Sequence, residues 1–379
     1  MKIVNIRISK GYGGAENYIL YLFNYLLDKK FLEITHFTNN KILYESLLKN
    51  KQEAYILNKD LDEIGTKKEF INFFFALHNY YSSYKKIFNY LSVSGTKIVI
   101  LHSTTEKILL TYLLKRKGYK IVWFEHGPFY RAYRFGLIKS LHMKSSFFVD
   151  KIFAVSKDTK NDLIEGGISA KKIDVCYIGV DLEYFKPNKK SSSLLKKKLK
   201  IKDNVCIVGY VGNVNNEKGI NRFVEVANDI NSKRNDFLFI VVGGGKELEK
   251  LKGRRLKNFV FTGHINNVKD YLQLFDIMLL PTNHNEGISL SIIESMAMET
   301  YVITKKIGGS FEVIDSVDNG VLYEDFSSKV LSKKIVDITS QFKKMKQVKK
   351  NSRQLVLNKF NIKYNSQIFL DSLMSIHGK

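Results

Sequence analysis

The run HNEGISLSIIE, residues 284–294, keeps two carboxylates, Glu286 and Glu294, in a stretch that otherwise turns apolar. An ionised carboxylate only accepts hydrogen bonds, so such a pair suits the vicinal hydroxyls of a sugar or a ribose. Spacing alone says little, because Glu45/Glu53 and Glu217/Glu225 repeat it. The surroundings say more. The strand-like run IMLLPT precedes the pair, Gly287 breaks the chain, and Ser289 can cap a helix whose apolar face includes Leu290 and Ile293. Glu286 then lies in a loop at a strand end, and Glu294 about a turn and a half into the helix.

Two glycine-rich turns could hold a phosphate. KGYGGAENYIL sets Gly11, Gly13 and Gly14 between a first strand and an amphipathic helix, where close backbone approach and helix-terminal N–H groups favour an anion. The fingerprint G-x-G-x-x-G is incomplete there, so an anion loop and a simple tight turn are both open. VGYVGNVNNEKGINRFVEV sets Gly212, Asn213, Lys218 and Gly219 at a second strand-to-helix turn. A lysine there can stabilise a departing diphosphate, or can simply be solvated. VVGGGKELEKL adds Gly243, Gly244 and Gly245, which permit another close backbone approach. The one D-x-D, Asp60-Leu61-Asp62, has no buried strand before it and reads as a surface turn, not a metal site. Cys176 and Cys206 sit in β-branched runs and read as buried reduced thiols, which fits the cytoplasm.

The elements that must hold these turns alternate strand and helix. KIVNIRI, LEITHFT, KIVILHS, KIVWFEH, KIFAVS and IDVCYIG come first, then NVCIVGYVG, FLFIVVGG, NFVFTG, IMLLPT, YVITKK and GVLYE. Most are short, β-branched and almost continuously apolar, the pattern of strands buried on both faces of a parallel sheet. Segments such as NRFVEVANDINSK between them carry apolar residues at helical spacing. The fold class is therefore α/β, in two doubly wound parallel-sheet domains. The boundaries read as 1–185 for the first domain, 186–203 for a basic serine- and lysine-rich linker that runs into a short basic helix, 204–358 for the second, and 359–379 for a helix returning to the first. Ligands bind at the carboxyl ends of such sheets, which would face a cleft.

At 379 residues and 44% hydrophobic, the chain can bury two cores. It has no apolar run of about 18 residues, so no spanning helix is expected, and MKIVNIRISKGYGG opens as a strand and not as a signal peptide. The net charge of +24 suits nucleic acid, anionic lipid or polyanionic substrates alike. One segment concentrates it. FYRAYRFGLIKSLHMKSSFFV, residues 129–149, interleaves aromatics with Arg131, Arg134, Lys139 and Lys144 and contains no acid. It suits an anionic membrane surface, or equally a core-packing helix with a basic edge. No RRM signature, zinc spacing or helix-turn-helix pattern accompanies the charge, so no specific nucleic-acid partner is expected.

Taken in order, GGAENYI, EHG, GVDLEYFKP, VGNVNNEKG, VVGGG, FTGHI, EGISLSIIE and GGSFEVI resemble the motifs of the GT-B glycosyltransferases of family 4, over nearly the whole chain. The resemblance implies two Rossmann-like domains, acceptor on the first and nucleotide sugar on the second. It implies that Glu294 binds the ribose hydroxyls, Glu286 faces the donor sugar, and Lys218 meets the diphosphate. Gly13 and Gly14 would close over the donor, and His126 in WFEHGPF would lie beside the transferred sugar. Gly212, Asn213, Gly287, Ile288, Ser289 and Leu290 would line the donor, with catalytic roles falling to His126, Glu286 and Lys218. Two departures stand out. Asn213 replaces a common arginine, with Arg222 one alternative source of charge, and Glu299 and Tyr301 stand where glycine and proline are usual.

The implied function is transfer of a sugar from a UDP- or GDP-sugar to a hydroxyl of a sugar or lipid-linked acceptor, in cell-surface polysaccharide or glycolipid synthesis. Retention of configuration, no metal, and no cofactor beyond the donor substrate belong to the same implication. So does a cytoplasmic location, peripheral on the inner face of the cell membrane if residues 129–149 bind lipid. A GT-B epimerase of nucleotide sugars and a basic nucleic-acid-binding protein are the alternative readings.

Overall fold

The computed structural model describes residues 1–27, 29, 31–64, 67–131, 136–265, 267–324 and 327–378, so Arg134 lies outside the described residues. The chain divides into two units, residues 1–179 with 362–379, and residues 180–361.

The first unit holds β1 (Lys2–Arg7), β2 (Glu33–Thr38), β3 (Glu53–Ile56), β4 (Ile98–Leu101), β5 (Lys120–Glu125), β6 (Lys151–Ala154) and β7 (Ile173–Val175). They form one parallel sheet in the order β3-β2-β1-β4-β5-β6-β7. β4 reads IVIL and is wholly enclosed, as a central strand covered by helices on both faces must be. β3, EAYI, is an exposed-edged strand of four residues that apolar patterning does not single out. In the second unit β8 (Cys206–Val211), β9 (Phe237–Val242), β10 (Phe259–Gly263), β11 (Ile277–Leu280), β12 (Tyr301–Lys305) and β13 (Val321–Tyr323) pair in the order β10-β9-β8-β11-β12-β13, again all parallel. Strand order reverses between β1 and β4 in one sheet and between β8 and β11 in the other. At such reversals neighbouring loops leave in opposite directions and open a crevice at the strands' carboxyl ends.

The terminal helix Ile362–His377 belongs to the first unit. Phe369 explains why: its enclosed ring meets Phe153, Phe124 and Phe23 at centroid distances of 4.7, 5.8 and 6.5 Å. Within residues 186–203 the expected short basic helix forms, and it is anchored to the second unit. Asn188 caps a helix, Lys189–Lys198, by accepting from the backbone of Lys190 and Ser191. Ser191 Oγ then accepts from Gln273 Nε2 at 3.0 Å, and Ser192 Oγ donates to Gln273 O at 3.3 Å. The serines that suggest flexibility are the anchoring residues, and the second unit begins at Val180 instead of residue 204. Among the described residues no helix is long and apolar enough to cross a membrane.

Candidate functional site

In the second unit three loops converge on the β8/β11 reversal. After β8 the chain turns at Gly212, whose N–H donates to Val242 O at 3.1 Å, while Val214 N donates to Gly244 O at 2.8 Å. A Cβ on Gly243 would stand 1.9 Å from Gly212 O, and one on Gly245 2.4 Å from Asn213 Oδ1. The close approach that Gly243 and Gly245 permit is therefore to the Gly212–Val214 loop. Farther along, Gly219 adopts φ 78° and a Cβ there would lie 1.8 Å from Pro281 O, so the Lys218 turn rests directly on the end of β11. Asn283 N and His284 N both donate to Glu217 O, at 2.8 and 3.1 Å, which ties the two loops together.

This packing brings Lys218 to Glu286. Lys218 Nζ donates to Glu286 Oε2, with the two side chains 23% and 20% exposed. Glu286 Oε1 and Asn285 Oδ1 are enclosed without a hydrogen-bond partner among the described residues. The third loop, after β12, presses on the same point: Gly309 N donates to Glu286 O at 3.1 Å, and a Cβ on Gly309 would come 1.5 Å from Gly287 O. Ile288, Ser289 and Leu290 are buried behind it.

Glu294 lies on the helix Leu290–Ala297 and is only 5% exposed. Ser289 occupies the N-cap position but makes no capping bond, and its Oγ sits 3.1 Å from Ser291 Oγ instead. Ile292 N and Ile293 N both donate to Ser289 O, at 3.2 and 3.4 Å, so the amides of Leu290 and Ser291 are the ones this helix start can offer an anion. The Asn213 carbonyl accepts from Tyr210 OH at 2.7 Å. Arg222 pairs with Glu225 on its own helix, Ile220–Asn231, at 3.7 Å. Glu299 holds φ 57°, the left-handed conformation that accounts for glycine being usual there.

In the first unit Gly13 N donates to Glu16 Oε2 at 2.9 Å, so one amide of the first glycine loop is taken by its own helix, Gly14–Leu27, as in a tight turn. Glu16 also pairs with Arg7, whose Nε and Nη2 both lie 2.8 Å from Glu16 Oε1, and Arg7 Nη1 donates to Ser103 Oγ at 3.0 Å. Burial opposes the Arg7 charge, but the carboxylates of Glu16, Glu63 and Glu106 outweigh it and raise its pKa. His126 follows β5, half-buried, with Nε2 2.9 Å from His102 Nδ1. Burial lowers both histidines well below the usual range, helped at each by the positive charges of Arg7 and Lys107. Arg7, Glu16, Asn5, His102 and Asn285 escape motif reading. The polar Asn5 inside the apolar strand KIVNIRI is the signal that could have pointed to this cluster.

Asp62 pairs with Lys10, and among the described residues no group of three or more His, Cys, Asp or Glu side chains could hold a metal. Burial raises the enclosed Cys176 thiol to about 12; Cys206 is half-buried instead of enclosed, and burial raises it too. The basic aromatic segment is divided. Phe129 stacks on enclosed His142 at 3.9 Å, and Arg131 is held by Asp162 at 3.0 Å and Asp158 at 2.9 Å. Leu137, Phe147 and Lys144, on and just beyond the helix Gly136–Ser146, are exposed.

Comparison with known proteins agrees with this architecture. The glycosyltransferase family 4 model matches residues 12–184, and the model of glycosyl transferases group 1 matches residues 191–355. A capsular polysaccharide biosynthesis glycosyltransferase, CapM of Staphylococcus aureus, is 23% identical over 257 residues, 65% of this chain and 66% of its own. The UDP-Gal:alpha-D-GlcNAc-diphosphoundecaprenol alpha-1,3-galactosyltransferase of Escherichia coli is 26% identical over 279 residues, 70% of this chain and 72% of its own. Among solved structures, Anabaena HepE in complex with UDP superimposes with a TM-score of 0.83 at 16% identity, over 99% of this chain and 100% of its own. WaaG, a glycosyltransferase involved in lipopolysaccharide biosynthesis, does so at 0.72 and 16%, over 98% and 99%. At such identity these structures speak to the fold alone. With two family models running between them from residue 12 to residue 355, on two doubly wound parallel sheets, this chain belongs to the GT-B glycosyltransferases of family 4.

Proposed function

We propose that the enzyme moves a sugar from a UDP- or GDP-sugar to an acceptor hydroxyl in cell-surface polysaccharide or glycolipid synthesis, with retention of configuration. The observation that carries this reading is the Lys218–Glu286 pair at the β8/β11 reversal, with Glu286 Oε1 and Asn285 Oδ1 enclosed and unpartnered. Unmet buried acceptors cost about 1–3 kcal/mol each, and sugar hydroxyls are donors that would meet them. The relatives' names support the biosynthetic setting: one is called a capsular polysaccharide enzyme, another a galactosyltransferase using UDP-Gal and a diphosphoundecaprenol-linked sugar.

In this reading Glu294 accepts from the ribose hydroxyls, and the diphosphate sits at the uncapped start of its helix, Leu290–Ala297. Gly287, Ile288, Ser289 and Leu290 supply the backbone wall there, and Gly212 and Asn213 the opposite one. Lys218 then shares its charge between Glu286 and the leaving phosphate. The acceptor oxygen bonds to the anomeric carbon on the face from which the diphosphate departs. The anomeric C–O bond to phosphate breaks, and the acceptor proton passes to the departing phosphate oxygen. The reading gives His126 a contact with the transferred sugar, and gives Gly13 and Gly14 a place over the donor. Charge neutralisation falls to Lys218 and the helix amides, so a chelator should leave the rate unchanged.

A lipid-linked acceptor would bring the enzyme to a membrane. Exposed Leu137 and Phe147, at 46% and 69%, beside Lys144, form an edge suited to an anionic bilayer surface. Sedimentation with acidic but not neutral vesicles, weakened by Phe147→Ser, is the expected result; equal or absent binding would sink that part. The transferase reading is tested by incubating the protein with UDP-, GDP- and ADP-sugars and lipid-linked acceptors and reading product mass. An acceptor heavier by one sugar is expected. An isomerised donor with no transfer would make the enzyme an epimerase instead, and untouched donors would refute the reading.

A further inference from the structure

The first unit carries a row of four hydrogen-bonded side chains whose protons are set by one residue. Asn5, enclosed on β1, places Oδ1 2.6 Å from His102 Nε2 and Nδ2 3.1 Å from His36 Nδ1. His102 Nδ1 in turn lies 2.9 Å from His126 Nε2. An amide oxygen can only accept and an amide nitrogen can only donate. With Asn5 turned so that Oδ1 faces His102 and Nδ2 faces His36, His102 carries its proton on Nε2. As a neutral ring it then presents a bare Nδ1, and His126 has to donate from Nε2. By the same logic on the other side, His36 accepts at Nδ1 and keeps its proton on Nε2.

The neutral forms are secured by the surroundings. Burial lowers His102 and His126 well below the usual histidine range, with Arg7 and Lys107 adding to the effect, and burial lowers His36 to about 3. The row is also held mechanically. The His102 and His126 rings lie nearly parallel, 5.1 Å apart at 21°, and Phe124 faces His102 at 5.5 Å and 25°. Asn5 itself is fixed by the β1/β4 register, where it sits opposite Ile100. At the far end, His126 Nδ1 has no hydrogen-bond partner among the described residues.

We propose that Asn5 and His102 are positioning residues that lock His126 as its Nε2–H tautomer, so that Nδ1 is always a lone pair offered to a hydroxyl of the transferred sugar. The identity of the group meeting Nδ1 rests on the proposed function; the tautomer does not. The lock has a chemical use. A free neutral imidazole exchanges tautomers, and the wrong one would turn an N–H toward a site that needs an acceptor. A ring that also cannot become cationic adds no charge against an anomeric carbon that turns positive as the donor bond breaks.

The test is nitrogen-15 NMR of the histidines in the full chain, with the His126 signals identified by their loss in His126→Gln. A bare Nδ1 and a protonated Nε2, unchanged across neutral pH, is the expected result; a protonated Nδ1 or an exchanging mixture would overturn the proposal. Asn5→Leu and His102→Leu break the row, whereas His102→Gln can still accept from His126 and donate to Asn5. In the leucine variants the His126 tautomer should mix and kcat should fall about tenfold to a hundredfold with little change in the donor KM, the size of one lost or reversed hydrogen bond. His102→Gln should restore both. Should the leucine variants fail to fold, the wild-type tautomer and the His102→Gln kinetics still decide. Folded leucine variants with mixed tautomers and undiminished kcat would overturn the positioning role. A locked tautomer in a protein that transfers no sugar would defeat the proposed function and the hydroxyl contact together, leaving only the tautomer.

Discussion

Replacing Gly309 with alanine should separate transfer from stability. The Gly309 backbone, at φ −71° and ψ 4°, accepts alanine without strain, so only the added methyl matters. Its Cβ would stand 1.5 Å from Gly287 O and 2.8 Å from Ile288 Cγ1, where real contacts stay above 3.0 Å, so the loops must part by about 1.5 Å. That separation stretches the 3.1 Å bond from Gly309 N to Glu286 O and moves the Glu286 carboxylate with it. Overpacking of this kind costs about 1–3 kcal/mol, enough to lower Tm by a few degrees. Misplacing a reacting group by about 1 Å costs roughly a hundredfold in rate. Steady-state kinetics should therefore show kcat down by about a hundredfold, and calorimetry should find free nucleotide binding weakened as well, because the displaced Gly287 and Ile288 also wall the proposed diphosphate site. Gly253→Ala, at φ −69° with its nearest contact an ordinary 3.6 Å, is the control and should alter neither. Full activity in Gly309→Ala would refute the claim that this loop sets Glu286.

Further outcomes follow from contacts elsewhere in the two units. His36, His102 and His126 are neutral when folded and ordinary when unfolded, so each should remove about 1.4 kcal/mol of stability per pH unit as pH falls below about 6.5. Burial raises Glu106 to about 7, so it works the other way between its unfolded value and 7, and Glu106→Gln should steepen the acid loss seen in denaturant titrations. Glu299→Gly relieves the φ of 57° and should stabilise the second unit by roughly 0.5–1 kcal/mol in urea unfolding; a loss would mean that the nearby Arg353 charge matters more. Phe369→Ala empties the enclosed site among Phe153, Phe124 and Phe23 and should cost about 3–5 kcal/mol in the first unit, with nucleotide binding by the second unit retained.

Most of the framework was legible because central strands such as IVIL at β4 and IMLL at β11 are enclosed on both faces and read as unbroken apolar runs. β3 was not, since EAYI lies at a sheet edge and is half exposed. The short basic helix within residues 186–203 was legible, but its anchoring was not: Ser191 and Ser192 find Gln273 some eighty residues away, a contact that no local pattern encodes. Gly243 and Gly245 were legible as close-approach positions, yet what they approach is the backbone of Gly212 and the Asn213 side chain. Ser289 marks its helix start without capping it, because its hydroxyl turns to Ser291. The Asn5–His102 contact spans 97 residues, and only the β1/β4 pairing brings it into being.

The central claim is that Glu286 and Glu294 have separate duties toward one nucleotide sugar. Thermal unfolding of the wild type, Glu286→Gln and Glu294→Ala, each with free UDP and GDP and with the matching sugar nucleotides, tests it most directly. The account predicts that at least one nucleotide sugar raises the wild-type Tm, that Glu294→Ala loses the shift even with free nucleotide, and that Glu286→Gln keeps the nucleotide shift but not the additional one from the sugar. No shift with any donor, or two variants failing alike, would contradict it.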